Sequence, residues 1–344
     1  MQYTRLGTTG LVVSRLAFGA LTFTLGNKRL GSFYKVGEAG AQELIGAALD
    51  HGVNFFDTAD VYASGESEAI LGKALRPHRQ NVVLATKVGS RADSREVLHA
   101  GLSRRHVLWS IDESLRRLGT DWVDLYIVHR FDPHTPLEET LEALDAVVAS
   151  GKARYIGFSN WPAWAAAAAM AIQRERGLAR FSHGQMYYSL LGRDVERDIV
   201  PMLRHFGAGM TVWSPLAYGF LAGAYTRESM TREDNRFARF DWLGFDRDRG
   251  FALLDEMRAI AADPGCSMAQ LAIAWLLRKP GVDSVLLGAT RPDQLADNLG
   301  AAQVALPDEV MARLDAATAI APIYPSSDWV TADPVVAGAL GDRG

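Results

Sequence analysis

The sequence predicts an α/β protein, a closed (β/α)8 barrel of the TIM type with an N-terminal β-hairpin and long mouth loops. From Leu16 onward, short apolar runs rich in β-branched and aromatic residues alternate with amphipathic helical patterns. This alternation favours a parallel sheet, because parallel strands need a crossover that a helix provides. Eight such units, and the lack of a G-x-G-x-x-G spacing in "AFGALTFTLGN", favour the closed barrel over an open doubly wound sheet.

The predicted elements follow one another along the whole chain. Near the N-terminus, "GTTG" separates two short alternating runs and indicates a hairpin within residues 1–15. Eight strands are predicted, in order, at "LAFG", "VNFFD", "VVLATK", "VDLYIVH", "ARYIGFS", "SHGQMYY", "GMTVWS" and "DSVLLG". Helices are predicted near residues 38–52, 66–76, 103–119, 136–150, 162–177, 193–206, 247–262 with 267–278, and 292–302. Ser103 suits a helix cap, and Pro136 suits a first helical turn.

Three long segments interrupt the alternation, at residues 22–37, 225–246 and 319–344. Loops that follow the strands of a barrel converge on its active-site face, so we expect the first two of these segments there. The third is predicted to be an irregular C-terminal tail. Since no linker composition or charge block marks a boundary, we predict one domain over residues 1–344.

Composition excludes several classes of protein. The formal net charge is -4 with acidic and basic residues mixed along the chain, which argues against nucleic-acid and membrane-surface partners. The single cysteine, Cys266, rules out an internal disulfide framework and fits a reducing compartment. The N-terminus turns too soon for a signal peptide, and the alanine run in "WPAWAAAAAMAI" is too short to span a bilayer. We predict a cytoplasmic globular protein and leave its oligomeric state open, a homo-oligomer included.

Polar residues end three consecutive predicted strands. Asp57 ends the second strand, Lys87 the third and His129 the fourth, while Tyr62 follows Asp57 in its loop. The carboxyl ends of neighbouring parallel strands lie side by side around the mouth of a barrel, where chemistry occurs in this fold. The sequence therefore predicts that these four side chains share one site.

Each of the four also has an ordinary structural explanation. An aspartate at the end of a strand commonly caps a loop or helix, and a lysine there commonly extends along the surface. A single histidine or loop tyrosine more often packs than reacts. The combination on three adjacent strands is what indicates a site.

The chemistry of the combination is that of a proton donor aimed at a carbonyl oxygen. A free tyrosine ionises at about pH 10, and a lysine ammonium beside Tyr62 is expected to lower that pKa. Asp57 would fix Lys87, and His129 would orient a carbonyl oxygen. With no serine, cysteine or metal cluster at hand, such a site suits carbonyl reduction by a hydride donor.

Several segments occur in the order typical of one family: "NFFDTADVY...SE..LGKAL", "VVLATKVG", "DLYIVHRFDPHTPLEETLEAL", "ARYIGFSN", "Q..YSLL", "WSPLA.GFLAG.Y" and "GATRPDQLADNL". Over nearly its full length the chain resembles the aldo-keto reductases, and "YPSSDW" is similar to an element of their bacterial aryl-alcohol-dehydrogenase-like branch. The resemblance implies an NAD(P)H-dependent reductase of aldehydes and ketones. It also implies that Asp57, Tyr62, Lys87 and His129 form the catalytic tetrad, with Tyr62 as proton donor.

The resemblance implies a nicotinamide cofactor that lies extended across the mouth without a Rossmann domain. Ser159, Asn160 and Gln185 would hold the carboxamide, and Trp213 would stack on the ring. The other implied cofactor residues, besides Asp57, are Gly19, Ala20 and Leu21 along the cofactor, Ser214, Leu216, Gly219 and Leu221 near the pyrophosphate, and Gly288, Thr290, Arg291, Gln294 and Asn298 at the adenosine end. Outside the family, "GFSN" also fits a plain turn and cap, and "GATRPDQL" an ordinary helix start with Pro292 at its first position.

Two departures from the family pattern concern the cofactor phosphates. Ala224 replaces a lysine that assists the pyrophosphate in many relatives, and Gly288 stands where a basic residue begins the adenosine motif. Arg236 and Arg291 are candidates to supply the missing charge. We hypothesise that NADPH is preferred over NADH, because Arg291 lies beside the predicted adenosine pocket.

Two other functions are considered. A cofactor-binding regulatory subunit, such as the ion-channel β-subunits of this fold, would keep every motif and turn over little. A metal-dependent hydrolase or lyase using Asp57 and His129 is disfavoured, because no metal-ligand spacing is present. Substrate identity stays open, with the candidate pocket walls being Phe23, Asn27, Phe33, Tyr34, Trp161, Trp242, Tyr324 and Trp329.

Overall fold

Two sheets form over the residues that the computed structural model describes, which are 1–91, 96–232, 237, 243–262, 265–324 and 333–340. Their strands are β1 (Tyr3–Arg5), β2 (Val12–Ser14), β3 (Leu16–Gly19), β4 (Phe55–Asp57), β5 (Val83–Val88), β6 (Val123–Val128), β7 (Ala153–Ser159), β8 (Phe181–Tyr187), β9 (Gly209–Trp213) and β10 (Val282–Leu287). β1 and β2 form an antiparallel hairpin, and β3 to β10 close a parallel barrel with β10 beside β3. The predicted fold class is confirmed.

Helices cover the outside of the barrel. They are α1 (Glu38–Asp50), α2 (Glu66–Leu75), α3 (Arg104–Leu118), α4 (Leu137–Ala149), α5 (Ala163–Arg176), α6 (Ile199–Phe206), α7 (Arg247–Ala262), α8 (Met268–Arg278), α9 (Pro292–Gly300), α10 (Asp308–Ala317) and α11 (Pro334–Leu340). Ser103 caps α3 as predicted, since its Oγ accepts a hydrogen bond from the His106 backbone N–H at 3.3 Å. None of the described helices is both long and apolar enough to cross a membrane.

The helix predictions were wrong in three places. The predicted 193–206 helix is a 3-10 turn at Asp194–Glu196 followed by α6. The sequence pattern missed α10, although Asp308 and Glu309 in its first turn and the helical spacing of Val310, Met311 and Leu314 were available signals. The tail, predicted to be irregular, contains α11, whose start is capped by Asp333 Oδ1 accepting from the Val335 and Val336 backbone N–H groups at 3.0 Å.

Alternation along the strands separates the barrel interior from the helix-facing core. The lower interior is apolar and includes Phe55, Val83 and Leu125, and the hairpin residues Leu6 and Val13 close it from below. The outward-facing residues pack under the helices in a larger core. The polar ends of β4 to β9 are thus left at the opposite, carboxyl end of the barrel.

Candidate active site

The four predicted catalytic residues meet at the mouth. Lys87 Nζ donates hydrogen bonds to Asp57 Oδ1, to the Thr58 carbonyl at 2.7 Å and to the Tyr62 hydroxyl at 3.4 Å. The Tyr62 and His129 rings lie edge to face with their centroids 5.6 Å apart. The structure therefore brings all four side chains into one cluster, as predicted from Asp57 at the end of β4, Tyr62 in the loop after it, Lys87 at the end of β5 and His129 after β6.

Lys87 and Asp57 form a buried ion pair. Lys87 is 0% and Asp57 is 2% exposed. Burial works to lower the pKa of Lys87, but Asp57 and Tyr62 more than offset it, so that the pKa lies above its ordinary value. Gln185 Nε2 donates to Asp57 Oδ2 at 2.9 Å from across the barrel and so occupies the second carboxylate oxygen. Lys87 is therefore held charged next to the Tyr62 hydroxyl.

The prediction that the pKa of Tyr62 is lowered was wrong, because the net change is upward. Burial raises the pKa of Tyr62 above its ordinary value, Lys87 opposes this, and Asp57 adds to it. Desolvation of a phenolate therefore outweighs the attraction of one ammonium that is already paired with a carboxylate. The phenol of Tyr62 is protonated at neutral pH, which is the form that a proton donor requires.

His129 is a neutral imidazole. Burial lowers its pKa well below the ordinary value, and the positive charges of Lys87 and Arg130 lower it further. Its Nδ1 is buried without a hydrogen-bond partner among the described residues. A neutral ring beside Tyr62 can donate one hydrogen bond to an oxygen atom without carrying a charge into the mouth.

Next to this cluster lies a set of polar side chains from β7, β8 and β9. Asn160 Nδ2 donates to Ser159 Oγ at 2.8 Å, and Ser159 Oγ donates to the Gln185 carbonyl at 2.8 Å. Trp213 Nε1 donates to Asn160 Oδ1 at 3.0 Å, and its ring packs on Tyr187 with the centroids 5.3 Å apart. The four residues that the sequence assigned to a nicotinamide ring are thus contiguous.

Positive φ angles at non-glycine residues coincide with the mouth. Among the described residues they occur at Ala63, Ser64, Asn160, Ser214, Ala217 and Tyr218, all in loops that follow β4, β7 and β9. Ala217 and Tyr218 have φ +46° and +58°, a conformation that such side chains rarely adopt and that a packed surrounding must hold. Such positions concentrate at functional sites, so the backbone supports the placement that the side chains indicate.

The residues predicted for the phosphate and adenosine end lie beyond the ends of β9 and β10. Leu221 is fully buried. The side chain of Gln294 accepts from the Thr290 backbone N–H at 3.1 Å, and Arg291 Nε donates to Asp293 Oδ1 at 3.1 Å in solvent. Asn298 is buried in α9. Arg236 lies outside the described residues.

Comparison with known proteins agrees with this geometry. The model of the aldo/keto reductase family matches residues 15–319. The chain belongs to the aldo/keto reductase family. It is 38% identical over 328 residues to a probable voltage-gated potassium channel subunit beta of Oryza sativa subsp. japonica, covering 92% of this chain and 96% of the relative. It is 35% identical over 332 residues to a versiconal hemiacetal acetate reductase of Aspergillus parasiticus, covering 90% and 95%.

Membership in this family supports a carbonyl-reducing oxidoreductase that acts on a small molecule. Aldo/keto reductases generally use nicotinamide cofactors. The channel subunit and the reductase show that proteins of similar sequence serve two kinds of role.

The candidate pocket walls of this aldo/keto reductase differ in where they lie. The prediction that Phe23 lines the pocket was wrong, because Phe23 is fully buried in the core with its ring centroid 5.7 Å from that of Phe18. Phe33 and Tyr34 pack with Ala63 and Tyr218 beside the Tyr62 turn. Trp161 is 2% exposed, and Asn27 Nδ2 donates to Ser64 Oγ at 3.3 Å. Tyr324 is 80% exposed, while Trp242 and Trp329 lie outside the described residues.

Sequence reasoning missed two features of the site. One is the Thr58 carbonyl that accepts from Lys87, which no residue-type signal could reveal because any residue offers a carbonyl. The other is a pair of buried carboxyl groups behind the mouth, Asp60 and Glu68. Asp60 and Glu68 stand in the segment "DTADVYASGESE", where the acidic residues that follow Asp57 were the available signal.

Proposed function

We propose that the protein is an NAD(P)H-dependent reductase that converts aldehydes and ketones to alcohols, with Tyr62 as the proton donor. The single observation that carries the proposal is the Tyr62 hydroxyl, 3.4 Å from the buried ammonium of Lys87 and edge to face with the neutral ring of His129. A phenol between a charged amine and a neutral imidazole can bind, orient and protonate a carbonyl oxygen.

The protein's own part of the reaction is proton transfer and charge stabilisation. His129 and Tyr62 would both donate hydrogen bonds to the carbonyl oxygen and so fix its position. As negative charge develops on that oxygen, Tyr62 would give up its proton, and Lys87 would stabilise the phenolate that remains. Asp57 keeps Lys87 charged and in place. When bound, a reduced nicotinamide would supply the hydride to the carbonyl carbon.

The residues present fit a nicotinamide cofactor. Ser159, Asn160 and Gln185 offer amide and hydroxyl groups for a carboxamide, and Trp213 offers an aromatic face. A Cβ at Gly288 would meet nothing within 4 Å, so the space directly beside this residue is open. We keep NADPH as the preferred form, since Arg291 is the basic side chain nearest in sequence to the start of α9, where phosphate binding is favoured.

The test is Tyr62→Phe, which removes the proton and keeps the ring. Turnover of aromatic and short-chain aldehydes should fall by about 10²-fold or more, the usual contribution of general acid catalysis. Affinity for NADPH, measured by its fluorescence, should stay within about twofold, because the hydroxyl is not part of the proposed cofactor contacts. Wild-type rates in the variant would contradict the role of Tyr62, and a higher kcat/KM with NADH would contradict the choice of NADPH.

The second candidate is a cofactor-binding regulatory subunit with little turnover. The observation that favours it is the 38% identity to probable potassium channel subunits of Oryza sativa subsp. japonica and Arabidopsis thaliana. The same aldehyde panel separates the two functions. Tight NADPH binding together with no Tyr62-dependent turnover of any aldehyde would favour the regulatory subunit.

A further inference from the structure

Two buried carboxyl groups lie behind the mouth, between β5 and the helices α2 and α3. Glu68 is 0% and Asp60 is 7% exposed. Glu68 is fully paired, because Arg117 Nε donates to its Oε2 at 2.5 Å and Thr86 Oγ1 donates to its Oε1 at 2.5 Å. Arg117 thus pairs with Glu68, and its charge also acts on the neighbouring Asp60.

The carboxyl group of Asp60 is less well paired than that of Glu68. Its Oδ2 accepts from Ser110 Oγ at 3.2 Å, and its Oδ1 is buried without a partner among the described residues. Burial raises the pKa of Asp60 to about 8, the charge of Glu68 adds to this, and Arg117 and Ser110 oppose it. Asp60 is therefore mostly protonated at neutral pH and gains its charge in mildly alkaline solution.

Every element packed around Asp60 contributes to its surroundings. α2 presents Glu68, α3 presents Ser110 and Arg117, and β6 presents Tyr126, whose phenol has its pKa raised well above the ordinary value by burial and then by Asp60. Arg117 is also shared with Glu113, at 3.8 Å, on its solvent side. Within the part of the chain that the structure describes, ionised Asp60 would thus meet a second carboxylate and one cation, which is already engaged.

This cluster lies next to Lys87 and to the turn that carries Tyr62. The Asp60 backbone N–H donates to the Lys87 carbonyl at 3.4 Å, and Thr86, which binds Glu68, directly precedes Lys87. The turn that carries Tyr62 continues through left-handed residues with φ +48° at Ala63, +58° at Ser64 and +92° at Gly65. A Cβ at Gly65 would lie 2.6 Å from Arg117 Cδ, so the guanidinium side chain packs directly against this strained turn.

We propose that Asp60, Glu68 and Arg117 form a clamp that positions Tyr62 against Lys87, and that ionisation of Asp60 loosens it. The inference rests on the proposed reductase function and adds a positioning role for residues outside the mouth. With Asp60 neutral, Arg117 serves Glu68 and holds the turn. With Asp60 charged, the two carboxylates repel each other, Arg117 is drawn from Gly65, and the Tyr62 hydroxyl leaves its place beside Lys87.

The experiment is a pH profile of kcat with saturating NADPH and an aryl aldehyde such as 4-nitrobenzaldehyde, for the wild type and Asp60→Asn. The wild-type kcat should fall above about pH 8, following the ionisation of Asp60. Asparagine has the shape of the protonated acid and never ionises, so Asp60→Asn should keep its kcat near the wild-type value at pH 7 and hold it through pH 9. The KM for NADPH should not change.

Two further variants complete the test, one that shifts the pKa of Asp60 and one that serves as a control. Ser110→Ala removes a hydrogen bond that lowers the pKa of Asp60, so its kcat should begin to fall at a higher pH than in the wild type. Asp124→Asn is the matched control, because Asp124 is also a buried carboxyl with a raised pKa and one arginine, Arg79 at 3.1 Å, but lies at the start of β6. Asp124→Asn should leave the pH profile as it is in the wild type.

The possible outcomes distinguish failure of the clamp from failure of the proposed reductase function. An active wild type that depends on Tyr62, together with identical profiles for wild type and Asp60→Asn, overturns the clamp alone. An Asp124→Asn profile shifted as far as that of Asp60→Asn also overturns it, because the effect would then be general. A wild type that reduces no aldehyde with NADPH or NADH overturns the proposed function and the clamp with it.

Discussion

At the scale of single residues, the mouth is organised around the ammonium of Lys87, which is shielded from water. Lys87 has three acceptors, the Asp57 carboxylate, the Thr58 carbonyl and the Tyr62 hydroxyl. Removing one partner of a buried ion pair costs far more than an exposed pair contributes, because the remaining charge loses its compensation. Lys87 therefore contributes to stability as well as to the proposed chemistry.

Replacing Lys87 with methionine should lower the free energy of unfolding by about 3–5 kcal/mol at neutral pH, measured by urea denaturation. The double variant Asp57→Asn/Lys87→Met should recover part of this loss, since no charge is then left unpaired. Because the pKa of folded Lys87 lies above its ordinary value, the contribution is complete at neutral pH and disappears only as pH rises through the folded pKa. A Lys87→Met variant as stable as the wild type would show that Asp57 finds another partner.

At the scale of elements, α2 is fixed against α3 at very short range. Gly72 sits in α2 where a Cβ would lie 2.0 Å from the Leu118 carbonyl oxygen at the end of α3. This contact is backbone against backbone, so neither side can give way by turning a side chain. Since α2 starts directly after the Tyr62 turn, the close contact also fixes the direction in which the chain leaves the mouth.

Gly72→Ala should therefore destabilise the protein by about 1–3 kcal/mol or more, the usual cost of overpacking, although alanine favours helices. Gly46→Ala is the control, because Gly46 lies inside α1 and a Cβ there would meet nothing within 4 Å. That substitution should instead stabilise by about 0.5–1 kcal/mol, the difference in helix preference. Thermal unfolding of both variants decides the point, and equal effects would contradict the contact.

At the scale of the whole molecule, the two ends of the barrel do different work. The hairpin β1–β2 covers the amino end, where Leu6 and Val13 pack on interior residues of β3 to β6 and β10. The polar cluster of Tyr62 and Lys87 occupies the carboxyl end. In this fold the amino end of the barrel commonly serves stability and the carboxyl end serves chemistry.

Leu6→Ala should lower the free energy of unfolding by about 2–5 kcal/mol, because it removes a fully buried side chain and leaves a cavity. The KM for NADPH and the kcat of the folded variant should stay within about twofold of the wild type. Chemical denaturation and steady-state rates at a temperature below the transition check both halves. A large change in KM without loss of stability would mean that the hairpin reaches the mouth.

The sequence by itself determined the barrel and the identity of the residues at its mouth. Alternation of apolar runs with helical patterns is a local property, and residues that end consecutive parallel strands become neighbours in any barrel. For that reason the sequence alone places Asp57, Lys87 and His129 in one group. α10 shows the limit, because it is an additional helix after the eighth strand–helix unit, and the alternation does not call for a helix there.

Only the tertiary structure decided the electrostatics. The bond from Gln185 to Asp57 joins residues 128 positions apart, and the pairing of Glu68 with Arg117 joins residues 49 apart. The pKa of Tyr62 depends on the balance between burial, which raises it, and Lys87, which lowers it but is already paired with Asp57. The net change is therefore upward, opposite to the direction expected from the residue types alone. Desolvation and shared partners are properties of the packed volume around a group, so no pattern along the chain contains them.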